Sequence, residues 1–156
     1  MYYSMKSISK NKRIWFDYDI TDSLEVGIML RGHEVKSLRE WNINITDAVA
    51  IIYDSELRVH NIDIPLYSKT NYKNTGHYEP RWKRKLLIKK HELIKLSTKM
   101  NKSWSKLLIQ EIYFNSKQLV KLKLGLWKKR KKIEKRSVIK DREISKQMNK
   151  EIRQYN

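Results

Sequence analysis

Apolar residues alternate with polar ones near the start of the chain. From Arg13 to Ile20, every second position is apolar, namely Ile14, Phe16, Tyr18 and Ile20. This period places one apolar row on one face of a sheet and predicts a first strand. Asp22 or Ser23 is then expected to cap a short helix that carries Leu24, Ile28 and Leu30 and stops at Gly32, where a positive φ is cheap.

The segment Gly32–Arg39 reads G-H-E-V-K-S-L-R and follows that glycine directly. Val35 and Leu38 supply apolar bulk among charged side chains. The mixture predicts a half-buried strand whose outer surface meets a polar ligand.

The remaining pattern predicts a chain rich in short strands. Two β-rich runs, Val49–Tyr53 and Leu57–Ile62, flank the hairpin connection 54–56, and a turn of helix is expected over Ile45–Ala48. Two further strands, Ser105–Phe114 and Gln118–Leu126, flank the turn 115–117, while His91–Lys99 has a helical pattern and Pro65–Arg84 reads as an exposed loop. About six strands with short helices favour a mainly β fold, and we choose a closed OB-like barrel because closure removes exposed sheet edges.

Charge indicates the class of partner. The chain of 156 residues holds 35 Lys and Arg against 17 Asp and Glu, a formal net charge of +18. Such a body repels itself unless a polyanion neutralises it, so we expect nucleic acid as the partner, with a membrane surface as the main alternative. The sequence has no Cys, which fits a reducing compartment, and no apolar run long enough to span a membrane, so a cytoplasmic protein is expected.

The composition changes after Trp127. From Lys128 onward there are twelve basic and four acidic residues. Ile144, Met148 and Ile152 repeat every four positions, but so narrow an apolar stripe cannot stabilise an isolated helix. We therefore predict a flexible N-terminus over 1–10, a barrel over 11–127, and a tail over 128–156 that is disordered when free and helical on RNA.

Catalytic and metal-binding patterns are weak. The four His are scattered, without the close pair of a helical zinc site, so we expect no metal and no cofactor. Ser37, Asp47 and His60 could be imagined as a hydrolytic triad, but no glycine-flanked elbow surrounds the serine. We therefore argue against an enzyme.

A basic cluster surrounds Trp82. Arg81, Lys83, Arg84 and Lys85 put positive charge around an aromatic ring that could stack an unpaired base. Packing of Trp82 as a lid over the barrel end is an equally good interpretation.

Several ordered blocks resemble one known family. The segment G-x-E-V-K-S-L-R at 32–39 is similar to the signature of the SmpB (small protein B) family. Further blocks follow in the family's order: 11–13, 24–28, 60–67, 80–87, and the E-K-R at 134–136 that resembles the family's D-K-R.

The resemblance implies a function and partners. In the family an OB-like barrel holds the tRNA-like domain of transfer-messenger RNA, and the tail enters the vacant mRNA channel of a stalled ribosome at the small-subunit decoding site. It also implies trans-translation with peptide tagging, a link to elongation factor Tu through the charged RNA, and a monomer. The alternatives are a general basic OB-like ribosomal or single-stranded RNA-binding protein, or a small RNA-modifying enzyme.

The resemblance and the basic cluster together give candidate residues. By resemblance the RNA-binding candidates are Asn11, Glu25, Gly32, Glu34, Lys36, Ser37, Arg39 and Leu87, and the basic cluster adds Arg81, Arg84 and Lys85. By resemblance the ribosome-contacting tail residues are Lys131, Glu134, Lys135, Arg136, Lys140 and Arg142. Glu25 could instead pair with a neighbouring cation, and Leu87 could belong to the core.

The chain departs from the family at the start of the tail. Lys129 stands where the family usually has Gly, and Ile133 where it has Tyr or His. The first change removes the freest backbone residue of the hinge, and the second removes an aromatic face that could stack on a base.

Overall fold

The computed structural model of the protein describes residues 5–71, 73, 75–103 and 105–155, apart from the side chains of 103, 132–135, 151, 152, 154 and 155. Its elements are β1 (Lys6–Lys10), α1 (Ile14–Asp17), β2 (Tyr18–Ile28), α2 (Gly32–Arg39), β3 (Val49–Tyr53), β4 (Glu56–His60), β5 (Arg84–Leu87), α3 (Lys90–Ser103), β6 (Lys106–Phe114), β7 (Val120–Lys129) and α4 (Lys132–Tyr155).

Six antiparallel strands close into a ring in the order β6-β3-β4-β5-β2-β7, with β7 pairing back to β6. The buried interior contains Val26, Ile109, Leu122 and Leu124, against which Leu93 and Leu96 of α3 pack. β1 adds to the ring by pairing with β6. The predicted mainly β fold, an OB-like barrel of about six strands with short helices, is confirmed.

The β3–β4 hairpin agrees with its prediction. Asp54 and Ser55 have φ angles of 49° and 58°, and strand pairing continues to Tyr53 and Glu56 on either side. Two consecutive positive φ values are the geometry of a tight hairpin turn that matches strand twist.

The strand predicted over Arg13–Ile20 is confirmed only from Tyr18, where β2 begins, and the helix predicted after it is wrong. Residues 14–17 form α1, and β2 runs through Leu24 to Ile28, pairing with β7 and then β5. Leu24, Val26 and Ile28 are spaced by two and face the core. Pairing of this segment with the distant strands β7 and β5 therefore outweighs its local pattern, which had predicted a helix. Ile45–Ala48 forms a turn, in which the Ala48 N–H donates to the Ile45 carbonyl at 3.1 Å, instead of a turn of helix.

The Gly32–Arg39 segment forms helix α2, so the predicted strand is also wrong. Its buried residues are Glu34, Ser37 and Leu38, whose spacing of three and four places them on one helical face. Gly32 begins this helix and does not have a positive φ. The alternation of apolar and polar residues in this segment therefore does not mark a strand, because the buried face of the helix includes the polar residues Glu34 and Ser37.

Three boundaries also differ from the prediction. β1 lies inside the segment 1–10 that was expected to be flexible. β5 begins at Arg84, the end of the expected loop. β7 continues to Lys129, where it pairs with Tyr18 of β2. The sheet therefore spans Lys6 to Lys129, and the residue at the family's usual hinge glycine lies in a strand.

A second apolar cluster lies outside the main core and connects α1 to the barrel. It contains Ile14, Leu108 and Trp127, and the Trp15 ring meets the Trp127 ring edge-on at 4.9 Å. A Cβ on Gly125 would lie 1.9 Å from the Trp127 indole nitrogen, so only glycine permits this indole to fold back over the strand.

The tail from Lys132 to Tyr155 forms helix α4. It contacts α1, where the Arg142 guanidinium lies 4.0 Å from the centre of the Phe16 ring. Ile144 and Met148 are exposed, and Ile152 has its side chain outside the described residues. Disorder of the free tail stays a prediction.

Candidate nucleic-acid interface

Helix α2 is held against the barrel through the carboxylate of Glu34, which is 1% exposed. Glu34 Oε2 accepts a bond from the Arg31 N–H at 2.7 Å, which satisfies one of the free donors at the helix start. Glu34 Oε1 accepts from Arg84 Nε at 2.8 Å and Trp82 Nε1 at 3.1 Å. One carboxylate therefore joins the beginning of α2 to β5.

Arg84 extends this buried cluster to the loop before β5. Its Nη1 donates to the Ile62 carbonyl at 2.8 Å, and its Nη2 to the Pro80 carbonyl at 2.8 Å. The Tyr78 hydroxyl donates to the Ile64 carbonyl at 2.6 Å and lies 3.3 Å from Glu34. Burial raises the pKa of Tyr78, and the nearby Glu34 charge adds to this effect, so the hydroxyl stays a neutral donor.

Four candidate RNA ligands are buried. Asn11, Glu34, Ser37 and Arg84 are each at most 3% exposed. Asn11 Nδ2 donates to the carbonyls of Ile45 and Thr46 at 3.2 and 3.0 Å, and Ser37 Oγ donates to the Pro65 carbonyl at 2.8 Å. Direct RNA contact by these four side chains stays a prediction, and in this conformation each of them makes hydrogen bonds within the protein itself.

Trp82 packs as a lid. Its indole nitrogen is bound to Glu34, the Arg31 guanidinium lies 3.8 Å from its ring centre, and the Tyr78 ring meets it edge-on at 5.6 Å. Three contacts with the protein occupy the ring, so the geometry favours the lid over base stacking.

Four candidates are exposed, namely Glu25 of β2, Leu87 of β5, and Lys36 and Arg39 of α2, and we call this set the β2–α2 surface. Leu87 is 52% exposed and lies beside Gly27, where an added Cβ would come within 3.2 Å of the Leu87 Cβ. The glycine therefore makes room for an apolar side chain on the outside of the barrel. Lys36 and Arg39 are exposed on α2, as is Gly32 at its start.

Two other basic candidates are exposed but paired. Arg81 Nε lies 3.1 Å from Asp63 Oδ2, and Lys85 Nζ lies 2.6 Å from Glu56 Oε1. Such exposed ion pairs are weak, so phosphate could replace either carboxylate.

Glu25 has a partner that sequence reasoning missed. Its Oε2 accepts a hydrogen bond from the Tyr113 hydroxyl, and its Oε1 lies 4.0 Å from Lys121 Nζ. Burial raises the pKa of Tyr113, with a further contribution from Glu25. The Tyr113 hydroxyl thus fixes one carboxylate oxygen while half of the Glu25 side chain stays exposed. Tyr113 and Glu25 are 88 residues apart, and no local pattern signals a pair at that separation.

The tail candidates extend from the end of the barrel. Lys131, Arg136 and Lys140 are exposed, Arg142 packs on Phe16, and the side chains of Glu134 and Lys135 lie outside the described residues. Within the described part of the chain, no group of His, Asp or Glu side chains could hold a metal ion, and no helix is long and apolar enough to cross a membrane.

A basic closed barrel with an exposed cationic helix and a charged helical tail defines a nucleic-acid-binding class of protein. The model of the SmpB protein family matches residues 8–154. The chain belongs to the SmpB family.

The sequences of related proteins match this chain over most of its length. An SsrA-binding protein from Treponema denticola is 40% identical over 149 residues, covering 96% of this chain and 94% of that protein. One from Thermus thermophilus is 41% identical, covering 85% of this chain and 90% of that protein. A solved structure described as "tmRNA-SmpB: a journey to the center of the bacterial ribosome" is similar with a TM-score of 0.64 and 40% identity, covering 80% of this chain and 85% of that one.

Proposed function

We propose that this chain binds the tRNA-like domain of transfer-messenger RNA and delivers it to stalled ribosomes for trans-translation, ending in peptide tagging. The observation that carries the proposal is the β2–α2 surface, where Glu25 and Leu87 of the barrel and Lys36 and Arg39 of α2 are exposed. The SsrA-binding relatives and the tmRNA-SmpB structure support it.

The β2–α2 surface offers three kinds of contact. Lys36 and Arg39 can bind phosphates, which supplies affinity without reading sequence. Glu25 can accept hydrogen bonds from base amino groups or ribose hydroxyls, and Leu87 can pack on a sugar or an exposed base. The buried Glu34, Ser37 and Arg84 act by positioning α2, and Asn11 by fixing the segment after β1.

The tail has a separate role in this proposal. Helix α4 enters the empty mRNA channel, where Lys131, Arg136, Lys140 and Arg142 contact ribosomal phosphates near the small-subunit decoding site. Arg142 must leave Phe16 to do so. Elongation factor Tu joins through the charged RNA, the protein acts as a monomer alongside ribosomes in the cytoplasm, and the chain catalyses no reaction itself.

The test is a titration of labelled tRNA-like domain RNA with the full chain over a salt series. Preference for this RNA over ordinary tRNA and over unrelated single strands is expected. Lys36→Ala and Arg39→Ala should each weaken binding by about 1 kcal/mol or more and flatten the salt dependence, while Lys117→Ala, in the β6–β7 turn, should not. Equal affinity for all three RNAs would favour a general RNA-binding protein, and RNA cleavage during the incubation would indicate an enzyme.

A further inference from the structure

Helix α2 ends in a turn whose left-handed backbone conformation favours glycine. The Trp41 N–H donates to the Leu38 carbonyl at 3.0 Å, and the Asn42 N–H donates to the Ser37 carbonyl at 3.2 Å. This pair of bonds is the Schellman ending of a helix, which needs a left-handed residue at position 41. Trp41 accordingly has a φ of 61°.

A bulky side chain is unfavourable in that conformation. Glycine adopts it freely, and Asn or Asp tolerates it, whereas a large residue at positive φ is a strained outlier. The other described residues with positive φ are Asp54, Ser55, Asn61, Gln118 and Gly76, all small or polar. Trp41 is thus the one aromatic residue held in this region within the described chain.

Packing does not account for the tryptophan. Trp41 is 48% exposed and belongs to neither apolar cluster of the barrel. Strain kept at an exposed position indicates a function for the side chain, since the fold itself gains little from it.

Cations outnumber anions around Trp41, although the exposed Glu40 directly precedes it in the chain. Lys6 Nζ of β1 lies 4.7 Å from the centre of the indole ring, and the last turn of α2 carries the exposed Lys36 and Arg39. An aromatic face flanked by cations matches single-stranded nucleic acid, in which the base stacks and the phosphates pair with the charges. A protein partner would have to neutralise the same charges and is less favoured.

We propose that Trp41 is a stacking platform for an unpaired base of the bound RNA. This inference rests on the proposed function for the identity of the RNA, but the stacking itself requires only a single strand. Trp41 adds a contact that is independent of phosphate neutralisation by Lys36 and Arg39.

The test compares Trp41→Gly and Trp41→Phe with the wild-type chain. Glycine relieves the backbone strain, so Trp41→Gly should unfold at the same or a higher denaturant concentration. Its affinity for a single-stranded oligonucleotide and for the tRNA-like RNA should fall about five- to 100-fold, with an unchanged salt slope because no cation is lost. Trp41→Phe should keep most of the affinity, and neither variant should alter binding to duplex RNA.

Tyr53→Ala is the matched control, because Tyr53 is an aromatic residue that is 74% exposed elsewhere on the barrel; it should leave binding unchanged. A folded Trp41→Gly variant with wild-type affinity for the single strand would overturn the inference. The same result with weaker ribosome association would assign Trp41 to a contact with the ribosome instead of the bound RNA. Failure of the wild-type chain to prefer the tRNA-like RNA would refute the proposed function, while the oligonucleotide comparison would still decide the role of Trp41.

Discussion

Glu34 and Arg84 form a buried ion pair between helix α2 and strand β5, with side chains that are 1% and 2% exposed. They are 50 residues apart in the chain. The pair and its hydrogen bonds link the start of α2 to the carbonyls of Ile62 and Pro80. The exposed Lys36 and Arg39 lie on the helix that this buried pair holds in place.

Breaking this pair should destabilise the protein strongly. Glu34→Ala or Arg84→Met leaves one buried charge without its partner, so the free energy of unfolding should fall by about 3–5 kcal/mol. The double variant Glu34→Met/Arg84→Met should recover part of this loss, because no uncompensated charge remains. Urea denaturation measures both effects.

Arg58→Ala is the control for these variants, because Arg58 makes an exposed ion pair with Glu56 and should change stability little. If the double variant were no more stable than the worse single variant, the ion pair would not be the cause of the loss.

The same residues show why sequence reasoning succeeded for the barrel and failed for α2. The runs 49–53 and 106–114 are rich in β-branched and apolar residues, and they form β3 and β6 as predicted. In α2 the buried positions include Glu34 and Ser37, so hydrophobicity does not mark the inner face. Their partners, Arg84 and Pro65, lie far along the chain, and only the closed fold identifies them. Exposed candidates such as Lys36 could be predicted because a surface cation needs no partner.

Tyr113→Phe should reduce RNA affinity through Glu25. The change removes the hydroxyl that donates to Glu25 Oε2 and frees the carboxylate to rotate. We expect a loss of about 1 kcal/mol, roughly fivefold in Kd. A double-mutant cycle with Glu25→Gln in the RNA titration should show that the two losses are not additive.

Tyr53→Phe removes the hydroxyl of an exposed tyrosine and is the control for the Tyr113 variant. Additive losses from Tyr113→Phe and Glu25→Gln would show that Tyr113 does not position Glu25.

His60 should make stability fall in mild acid. Burial, assisted by the positive charges of Lys83 and Arg58, lowers the pKa of His60 below its ordinary 6.5. Because the unfolded chain then binds the proton more readily, stability is complete above pH 6.5 and is lost as the pH falls towards the lower pKa of the folded state. Denaturation between pH 8 and 5 should therefore show a weaker pH dependence for His60→Gln than for the wild type. Identical slopes would mean that His60 titrates normally in the folded protein.

The end of β7 sets where the tail can be removed. Lys128 and Lys129 pair with Asp19 and Tyr18, and Arg130 forms an ion pair with Asp19 at 2.6 Å. A chain that ends at Lys131 should keep its stability and RNA affinity but lose peptide tagging. A chain that ends at Trp127, the boundary expected from sequence, should be less stable because it lacks these contacts. Thermal unfolding and RNA titration of both truncations check the difference, and loss of RNA binding by the longer one would place part of the RNA site in the tail.

Helix α4 should be much less stable than the barrel. Arg142 and Phe16 supply its identified side-chain contact with α1, while Ile144 and Met148 stay exposed, so little apolar burial offsets the entropy of ordering its residues. The +18 charge of the chain further opposes helix docking without a polyanion. Amides of 136–150 should exchange with solvent far faster than those of β6, and Phe16→Ala should speed them further without affecting the barrel. Binding to ribosomes should protect them, because in the proposed function phosphates of the mRNA channel neutralise Arg136, Lys140 and Arg142. Equal protection of α4 and β6 in the free protein would show that the tail helix is a fixed part of the fold.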